Sequence, residues 1–385
     1  MVASQGSTDV FIVGGGPAGL AAAIAARQKG FSVVVADGSA PPIEKPCGEG
    51  MMPETVGVLG SLGVEFEHGE GRNFRGISFI QSDAQVSADF PKGQGIGLRR
   101  TLLHSRLVAR AEECGVRFLW KTPVTGIVAG ADGGDVQVPQ RTIRARWIVG
   151  ADGQGSRVRK WSGLDSTQRI QQRYASRRHY RVKPWSGYME IHWASNAQVY
   201  VTPTGEKEVC IVVMGQDGGD ASFESMLSEM PVLSEKLSRA QLSSRERGAA
   251  SVMRTLQNVQ NHNIALLGDA SGGVDAITGE GLHLAFRQAI SLADAMAAND
   301  LTKYQRAHRK LARRPMFMSH LMLWLCRHPR VRSQIVRLTQ DKPELFARLL
   351  ATHAGKQSPA HLVAFGAQLG FQLLADLKDG YPCTG

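Results

Sequence analysis

Three glycines near the start of the chain, Gly14, Gly16 and Gly19 in the stretch GGGPAG, have the spacing of a phosphate-binding turn. The first glycine permits the turn, the second lets phosphates approach the backbone, and the third lets a helix pack closely on a strand. Free N–H groups at the start of that helix favour negative charge. Asp37 follows 23 residues after Gly14, where an acid can accept ribose hydroxyls. The pattern predicts a dinucleotide site that also includes Pro17 and Ala18.

A second candidate is the loop from Lys45 to Pro53, KPCGEGMMP, which holds a thiol at Cys47 and a carboxylate at Glu49. Its glycines and prolines predict irregular structure. A reactive thiol needs a lowered pKa, and a neighbouring carboxylate acts in the opposite direction. We therefore interpret Cys47 as better suited to lining a site than to nucleophilic attack. Both side chains are kept as candidate catalytic residues, and Glu49 could either orient a substrate or accept loop N–H groups.

The elements around these residues predict how they are positioned. DVFIV, before the glycines, and FSVVVAD, which ends in Asp37, are predicted to be short buried strands, and the alanine-rich segment between them is predicted to be a helix. Arg99 to Cys114 predicts a second helix, and RWIVGADG and NIALLGDA predict further buried strands. Between them, YMEIHWA, QVYVTP and EVCIVVM alternate with turn residues as in an antiparallel sheet. The expected fold class is α/β, a Rossmann-like nucleotide-binding domain with an inserted antiparallel β-sheet domain and a C-terminal helical region.

This organisation predicts three parts. Segments 1–80, 95–165 and 260–300 form the discontinuous nucleotide-binding domain, segments 81–94 and 166–259 form the substrate-binding sheet domain, and 301–385 form a basic helical region.

Charge and cysteine content narrow the function classes. The last 85 residues hold 14 Lys and Arg against 4 Asp and Glu, nearly all of the net charge of +11. Because the rest is almost neutral, we expect no nucleic-acid partner. The basic helices could instead contact a membrane periphery or present a solvated face. Five scattered cysteines without a CxxC pair predict no metal site and a cytoplasmic location, with membrane association as an alternative, and no secretory signal is visible at the N-terminus.

Two later motifs, VGADGQGSRVR at 149–159 and LLGDASGGVDAITGEGLHLA at 266–285, extend the pattern. Together with GGGPAG they resemble the FAD-dependent oxidoreductases that include p-hydroxybenzoate hydroxylase, the geranylgeranyl reductases and the flavin halogenases. The motifs occur in the family order, and the resemblance covers about residues 8–300. It implies FAD as the cofactor and NAD(P)H as a transient reductant.

The resemblance also implies roles for individual residues. Asp269, after Gly268, would contact the ribityl chain, and a helix starting in TGEGL would direct its N–H groups to the flavin edge that becomes negative on reduction. Arg100 would lie near the ribityl and pyrophosphate groups, with Arg99 as the competing choice. The remaining cofactor-binding residues implied in this way are Cys47, Gly48, Asp152, Gly153, Thr278, Gly279, Glu280, Gly281 and Leu282.

Three reactions share this scaffold. We favour an NAD(P)H-dependent monooxygenase that hydroxylates an aromatic or polyketide-like hydrophobic small molecule through C4a-hydroperoxyflavin, because the scaffold hosts this class most often. The alternative is a geranylgeranyl-reductase-type enzyme that saturates C=C bonds of an isoprenoid or other lipid. A flavin halogenase, whose WxWxIP signature is missing, and a non-catalytic electron carrier rank lower. Tyr200 and His192 are the candidate substrate-contacting residues.

Overall fold

The computed structural model describes residues 6–130, 132–194, 197–215 and 223–355. Within these ranges the strands β1 to β19 are Gly6–Val13, Val33–Ala36, Gly50–Met51, Arg72–Phe74, Gly76–Gln81, Ala84–Asp89, Gly95–Gly97, Arg117–Leu119, Gly126–Gly130, Gly133–Val138, Arg141–Gly150, Thr167–Arg181, Tyr188–Trp193, Ala197–Gly205, Glu208–Gly215, Gln241–Leu242, Arg247–Leu256, Gln260–Asn261 and Ile264–Leu266. The helices α1 to α10 are Pro17–Gln28, Pro53–Ser61, Arg100–Glu113, Arg157–Trp161, Phe223–Ser228, Pro231–Ser238, Gly281–Ala297, Leu301–Arg327, Pro329–Asp341 and Pro343–His353.

The first sheet is the expected Rossmann-like layer. Its main path runs β18-β19-β11-β1-β2-β8, and β1 pairs in parallel with both β2 and β11. The strands of this centre are buried on both faces, as the unbroken runs of valine and isoleucine predict. Helices α1 and α7 pack together on it, so the carboxyl ends of β1, β11 and β19 and the starts of these helices meet at one edge.

The second sheet is the expected inserted domain. Its path runs β16-β12-β15-β14-β13-β5-β6, with β17 on the other side of β12. Side chains alternate between two apolar layers because successive residues of a strand point to opposite faces. Val199, Val201 and Ile211 pack toward α5 and α6, whereas Tyr200, Cys210 and Val212 lie on the face that meets the C-terminal helices.

Two features of the division into parts differ from the sequence-based boundaries. Strand β5 begins at Gly76 and pairs with β13 and β6, so the second sheet takes residues 76–80, which the sequence division placed with the first part. The reason is local, since GISFI has the apolar run of a buried strand and carries no sign of its partner. A small third sheet, β3-β7-β4, joins the 45–53 loop to the segment after residue 94.

The C-terminal helices α8 to α10 cover one face of the second sheet. Met322 of α8, Val336 of α9 and Phe346 of α10 share one core with sheet residues such as Ile77 and Ile191. Among the described residues, no helix is both long enough and apolar enough to cross a membrane. Residues 356–385 of the expected basic region lie outside the described ranges.

Candidate functional site

The glycine turn has the clearances that a bound pyrophosphate requires. A Cβ placed on Gly14 would lie 2.4 Å from the Ala151 carbonyl oxygen, and one on Gly19 would lie 1.9 Å from the Gly14 carbonyl oxygen. Gly14 also has φ of +110°, which side chains rarely adopt. A Cβ on Gly16, by contrast, would meet nothing within 4 Å. Two of the glycines are therefore required by the packing of the protein itself, and the third faces open space at the start of α1.

Asp37 lies at the end of β2 beside this turn, as predicted. Its carboxylate accepts the N–H of Gly15 at 2.8 Å and the N–H of Ser39 at 2.7 Å. The buried ring of His104 holds the turn from the other side, with Nε2 2.9 Å from the Gly15 carbonyl oxygen. Burial lowers the pKa of His104, so the neutral ring donates to that carbonyl. The sequence analysis did not single out His104, which lies in the first turns of the helix that starts at Arg100.

Two arginines at the start of α3 differ in what they contact. Arg99 forms a bidentate pair with Glu208, with both N–O distances at 2.7 Å. Arg100 keeps a buried Nε without a hydrogen-bond partner among the described residues. Asp269 is exposed to the open cleft; partial desolvation by the surrounding protein raises the pKa of its carboxyl, and the positive charges of Lys45 and Arg100 lower it. The cation of Arg100 therefore faces the same cleft as Asp269, and Arg99 serves the fold.

Asp152 follows β11 but directs its carboxylate to the next helix. It accepts the backbone N–H groups of Arg157 at 2.7 Å and Val158 at 3.2 Å, together with the hydroxyl of Ser156. The side chain thus stabilises the N-terminus of α4. Gly153, with φ of +81°, makes the adjoining turn and faces Lys45. Because the Asp152 side chain is used in this way, only the backbone of Asp152 and Gly153 remains available to a ligand.

A buried polar network supports the segment between β19 and α7. Asp275 accepts the N–H of Ile277 at 2.9 Å and pairs with the Nη1 of Arg173 at 3.1 Å, both side chains being essentially inaccessible. Arg173 also donates to Gln198, and Gln198 accepts from the hydroxyl of Tyr200. Tyr200 lies 3.4 Å from the Ile277 carbonyl oxygen. Burial raises the pKa of the Tyr200 phenol, so the group stays a neutral donor to this segment.

Glycine and free N–H groups lie at the start of α7, and the side chain of Glu280 there is directed toward the C-terminal helices. Glu280 is buried and accepts from Arg314 of α8 at 3.1 Å. Its other oxygen lies 3.8 Å from the Nδ1 of His353, and neither of these two atoms has a hydrogen-bond partner in the described structure. Burial lowers the pKa of His283 in the first turn to about 4, so that ring is neutral at physiological pH. Glu280 therefore links the first turn of α7 to the C-terminal helices.

The 45–53 loop is fixed by Glu49, which is buried and has φ of +59°. Its carboxylate contacts Nη1 of Arg177 at 3.0 Å, Nε2 of His179 at 2.6 Å and the N–H of Arg100 at 3.0 Å. These three donors occupy the carboxylate that the sequence offered as a catalytic candidate. Cys47 is half-buried, and its Sγ accepts the N–H of Glu49 at 3.4 Å.

Glu49, His179 and Cys210 come close enough to resemble a metal site, with ligand atoms within 4.8 Å of one another. The contacts favour a different interpretation. Arg177 binds Glu49, and Nη1 of Arg99 lies 3.0 Å from Nδ1 of His179. Two cations in contact with the trio oppose a third, and burial raises the pKa of the Cys210 thiol, which disfavours the thiolate form. The trio belongs to a charge network that anchors the loop.

An apolar cavity lies between the second sheet, the segment before α7 and the C-terminal helices. It encloses about 450 Å³ of space, part of it open to solvent. The sheet contributes Ile77, Phe79 and Ile191; the segment before α7 contributes Ile277 and Thr278; and the C-terminal helices contribute Met318, Met322, Phe346, Leu349, Leu350 and His353. Because Thr278 is one of the predicted flavin-facing residues, the cavity adjoins the predicted flavin position.

The two predicted substrate residues lie elsewhere. His192 follows Ile191 on β13 and therefore points to the opposite face, where Nε2 is 2.9 Å from Glu190. Tyr200 is buried beneath the segment before α7, and its hydroxyl supports that segment. Sequence reasoning missed Arg173, Arg177 and His179, whose even spacing on β12 places all three on the cleft face. The recurrence of basic residues at even spacing along this stretch of the sequence was the available signal.

These residues fit FAD. Gly16 leaves open space at the helix start, the half-buried Arg100 has a buried Nε without a hydrogen-bond partner among the described residues, and Asp37 lies beside the glycine turn. The α7 start would face the flavin ring beside the apolar cavity.

Comparisons with known proteins agree with this geometry. A model of the FAD binding domain family matches residues 7–303. The menaquinone reductase of Mycobacterium tuberculosis is 25% identical over 327 residues, covering 77% of this chain and 78% of the relative. Digeranylgeranylglycerophospholipid reductase 1 of Methanococcoides burtonii is 26% identical, covering 78% and 79%.

The solved structures include a hydroxylase with the same fold. The anhydrotetracycline hydroxylase OxyS of Streptomyces rimosus superposes with a TM-score of 0.72 at 22% identity, over 91% of this chain and 76% of the hydroxylase. The predicted fold and the predicted superfamily are confirmed. The chain belongs to the FAD binding domain family and is an FAD-dependent oxidoreductase.

Proposed function

We propose that this oxidoreductase reduces carbon–carbon double bonds in a lipid with a long apolar chain. The observation that carries the proposal is the cavity beside the α7 start, in which Thr278 and His353 are the polar members of an otherwise apolar lining. A compact polar substrate would require several fixed hydrogen-bonding groups, whereas an alkyl or prenyl chain requires apolar contact.

The relatives support the same substrate class. One is named as a reductase of menaquinone and the other as a reductase of a geranylgeranyl glycerophospholipid. Each matches this chain over more than three quarters of both lengths. We infer that the present substrate is likewise a lipid, which enters the cavity with its unsaturated chain toward the α7 start.

The chain's own residues would bind, orient and exclude water. Gly16 and the start of α1 would hold the pyrophosphate of FAD, Asp37 the adenosine ribose, and Asp269 with Arg100 the ribityl region. When bound and reduced by NAD(P)H, FAD would supply a hydride to one olefinic carbon, and the other carbon would take a proton. The N–H groups at the start of α7 favour the negative charge that reduction brings to the flavin edge.

The two candidates in the 45–53 loop take different roles in this proposal. Glu49 holds the loop, because its carboxylate is committed to Arg177, His179 and the N–H of Arg100. Cys47 is half-buried and free of any ion pair in the described structure, so we assign it the proton that completes the reduction. Replacing Cys47 with serine would then slow product formation and leave reduction of the flavin by NAD(P)H intact.

Hydroxylation of a phenol with an apolar tail is the second candidate. It is favoured by His353, whose ring lines the cavity and whose Nδ1, 3.8 Å from Oε2 of Glu280, makes no hydrogen bond among the described residues. An imidazole can act as a general base toward the hydroxyl of a phenol. Replacing His353 with glutamine would impair this reaction and leave the reduction of an isolated double bond unaffected.

Mass spectrometry with menaquinone-4, a quinone with a geranylgeranyl chain, separates the two reactions. The FAD-loaded protein is mixed with NADPH or NADH and detergent-dispersed menaquinone-4, either without oxygen or under ¹⁸O₂. Double-bond reduction adds 2 Da per bond in both atmospheres, beyond the reversible reduction of the quinone ring. Met322→Trp, which fills the cavity, would abolish the product while keeping the flavin spectrum. Incorporation of ¹⁸O without any saturated chain would refute the proposal and favour hydroxylation.

A further inference from the structure

Helix α8 carries an exposed stripe that combines cations with large apolar side chains. Phe317 is 50% exposed and Trp324 is 45% exposed. At 100° per residue, the stripe is about 80° wide and about 27 Å long. Its members, all exposed, are Arg306, Lys310, Arg313, Phe317, His320 and Trp324, and we call them the α8 outer face.

The charge around this face has a single sign. Residues 301–340 contain ten Lys and Arg and neither Asp nor Glu. Four of the ten contact other parts of the protein: Arg314 pairs with Glu280, Arg332 is buried against Gln81 and Trp193, and Arg309 and Arg327 donate hydrogen bonds to Gln257 and Gln171. Exposed aromatic rings set among cations on one helix face have the composition of helices that lie in the interface of anionic bilayers. A second copy of this chain is a poor occupant, because it brings its own net charge of +11.

The same helix also lines the apolar cavity. Met318 and Met322 contact the cavity and lie about 100° to 140° around the helix from Phe317. A bilayer that takes up Phe317 and Trp324 therefore lies one helix width from the cavity.

We propose that the α8 outer face docks the protein on the surface of an anionic lipid bilayer, with Phe317 and Trp324 inserted among the acyl chains and Arg306, Lys310 and Arg313 at the phosphates. Docking at this face places the cavity next to the phase in which an apolar substrate dissolves. The proposal holds for either reaction, because it concerns where the enzyme works.

Vesicle co-sedimentation of the FAD-loaded protein tests the proposal. Vesicles of phosphatidylcholine alone are compared with vesicles containing 30% phosphatidylglycerol, at low and at high salt. Binding is expected on the anionic vesicles and is expected to weaken with salt. Arg306→Gln with Arg313→Gln should weaken it roughly fivefold for each charge removed. Phe317→Ala with Trp324→Ala should weaken it severalfold, and Val232→Ala, which shortens a side chain that is 65% exposed on α6, should not.

Fluorescence adds a test of orientation. Trp324 is the most exposed of the six tryptophans, so acyl-brominated lipids should quench the wild-type protein more than the Trp324→Phe variant. FAD content and far-UV circular dichroism check that the variants fold. Equal binding by all variants would overturn the proposal. So would a dimer, detected by light scattering, that the Phe317→Ala and Trp324→Ala changes dissociate without any effect on vesicles.

Discussion

Gly16 and Gly19 should respond in opposite ways to the same small change, the addition of one methyl group. At Gly16 the new Cβ has no neighbour within 4 Å, and φ of −71° with ψ of 175° suits alanine. Gly16→Ala should therefore change the free energy of unfolding of the apoprotein by less than about 1 kcal/mol. At Gly19 the Cβ would overlap the Gly14 carbonyl oxygen at 1.9 Å. Separating α1 from β1 to relieve this overlap should cost about 1–3 kcal/mol or more.

The effects on FAD binding should follow a different order from the effects on stability. The methyl group of Gly16→Ala occupies the space assigned to the pyrophosphate, so FAD affinity should fall at least tenfold, about 1.4 kcal/mol. Urea unfolding of the apoproteins, followed by far-UV circular dichroism, measures stability, and quenching of flavin fluorescence measures affinity. Gly57→Ala in α2 is the matched control, since its Cβ would also meet nothing within 4 Å.

Two results would refute this reasoning. If Gly16→Ala bound FAD as tightly as the wild-type protein, the phosphates would not pass over this turn. If the Gly19→Ala apoprotein were as stable as the Gly57→Ala control, the close contact between α1 and β1 would not exist in solution.

Three further outcomes are expected. Arg177→Met leaves Glu49 without its buried cation and should lower the free energy of unfolding in urea by about 3–5 kcal/mol. Arg72→Met, at an exposed ion pair, should change the free energy of unfolding by less than about 1 kcal/mol. Equal effects of the two variants would contradict the buried network. Burial lowers the pKa of His308 to about 4, so the unfolded state takes up a proton at a higher pH than the folded state, and the free energy of unfolding should fall as pH drops from about 6.5 toward 4. His308→Gln should flatten this dependence on pH. An unchanged dependence in urea titrations at pH 7, 6 and 5 would exclude His308 as its source. Met322→Trp should raise KM for a long-chain substrate or abolish turnover, while the rate of flavin reduction by NAD(P)H should stay within about twofold of the wild-type rate. A parallel loss of both rates in stopped-flow measurements would place the cavity outside the substrate path.

The sequence best predicted those features of the fold that depend on residues close together along the chain. Gly14, Gly16, Gly19 and Asp37 are read within one βαβ unit, where spacing fixes geometry. The choice of Arg100 over Arg99 stays a prediction, and the structure adds that Arg99 pairs with Glu208. The Rossmann-like sheet and the inserted sheet follow from runs of apolar residues and their alternation.

What the sequence did not predict depends on contacts between distant segments. Glu49 meets Arg177 and His179, which follow it by 128 and 130 residues, and no local pattern announces such a pairing. The role of Tyr200 depends on a backbone carbonyl 77 residues away, at Ile277. His192 was attractive as an aromatic titratable residue in a strand, but the one-residue offset from Ile191 turned it to the other face. The cavity exists only once α8 to α10 have packed on the second sheet.

The cavity has a consequence for how this enzyme can diversify. Its floor comes from the sheet and its flavin-facing wall from the segment before α7, but its roof is one continuous piece of chain, Leu301–His353. Substitutions in that piece can lengthen, shorten or block the cavity without touching the glycine turn, Asp37 or Asp269. In the proposed function, most of the residues that would set substrate range therefore lie in a different stretch of sequence from those that would hold the cofactor. Exchange of residues 301–353 between relatives offers a direct way to transfer chain-length preference, provided that the pairing of Glu280 with Arg314 is carried along.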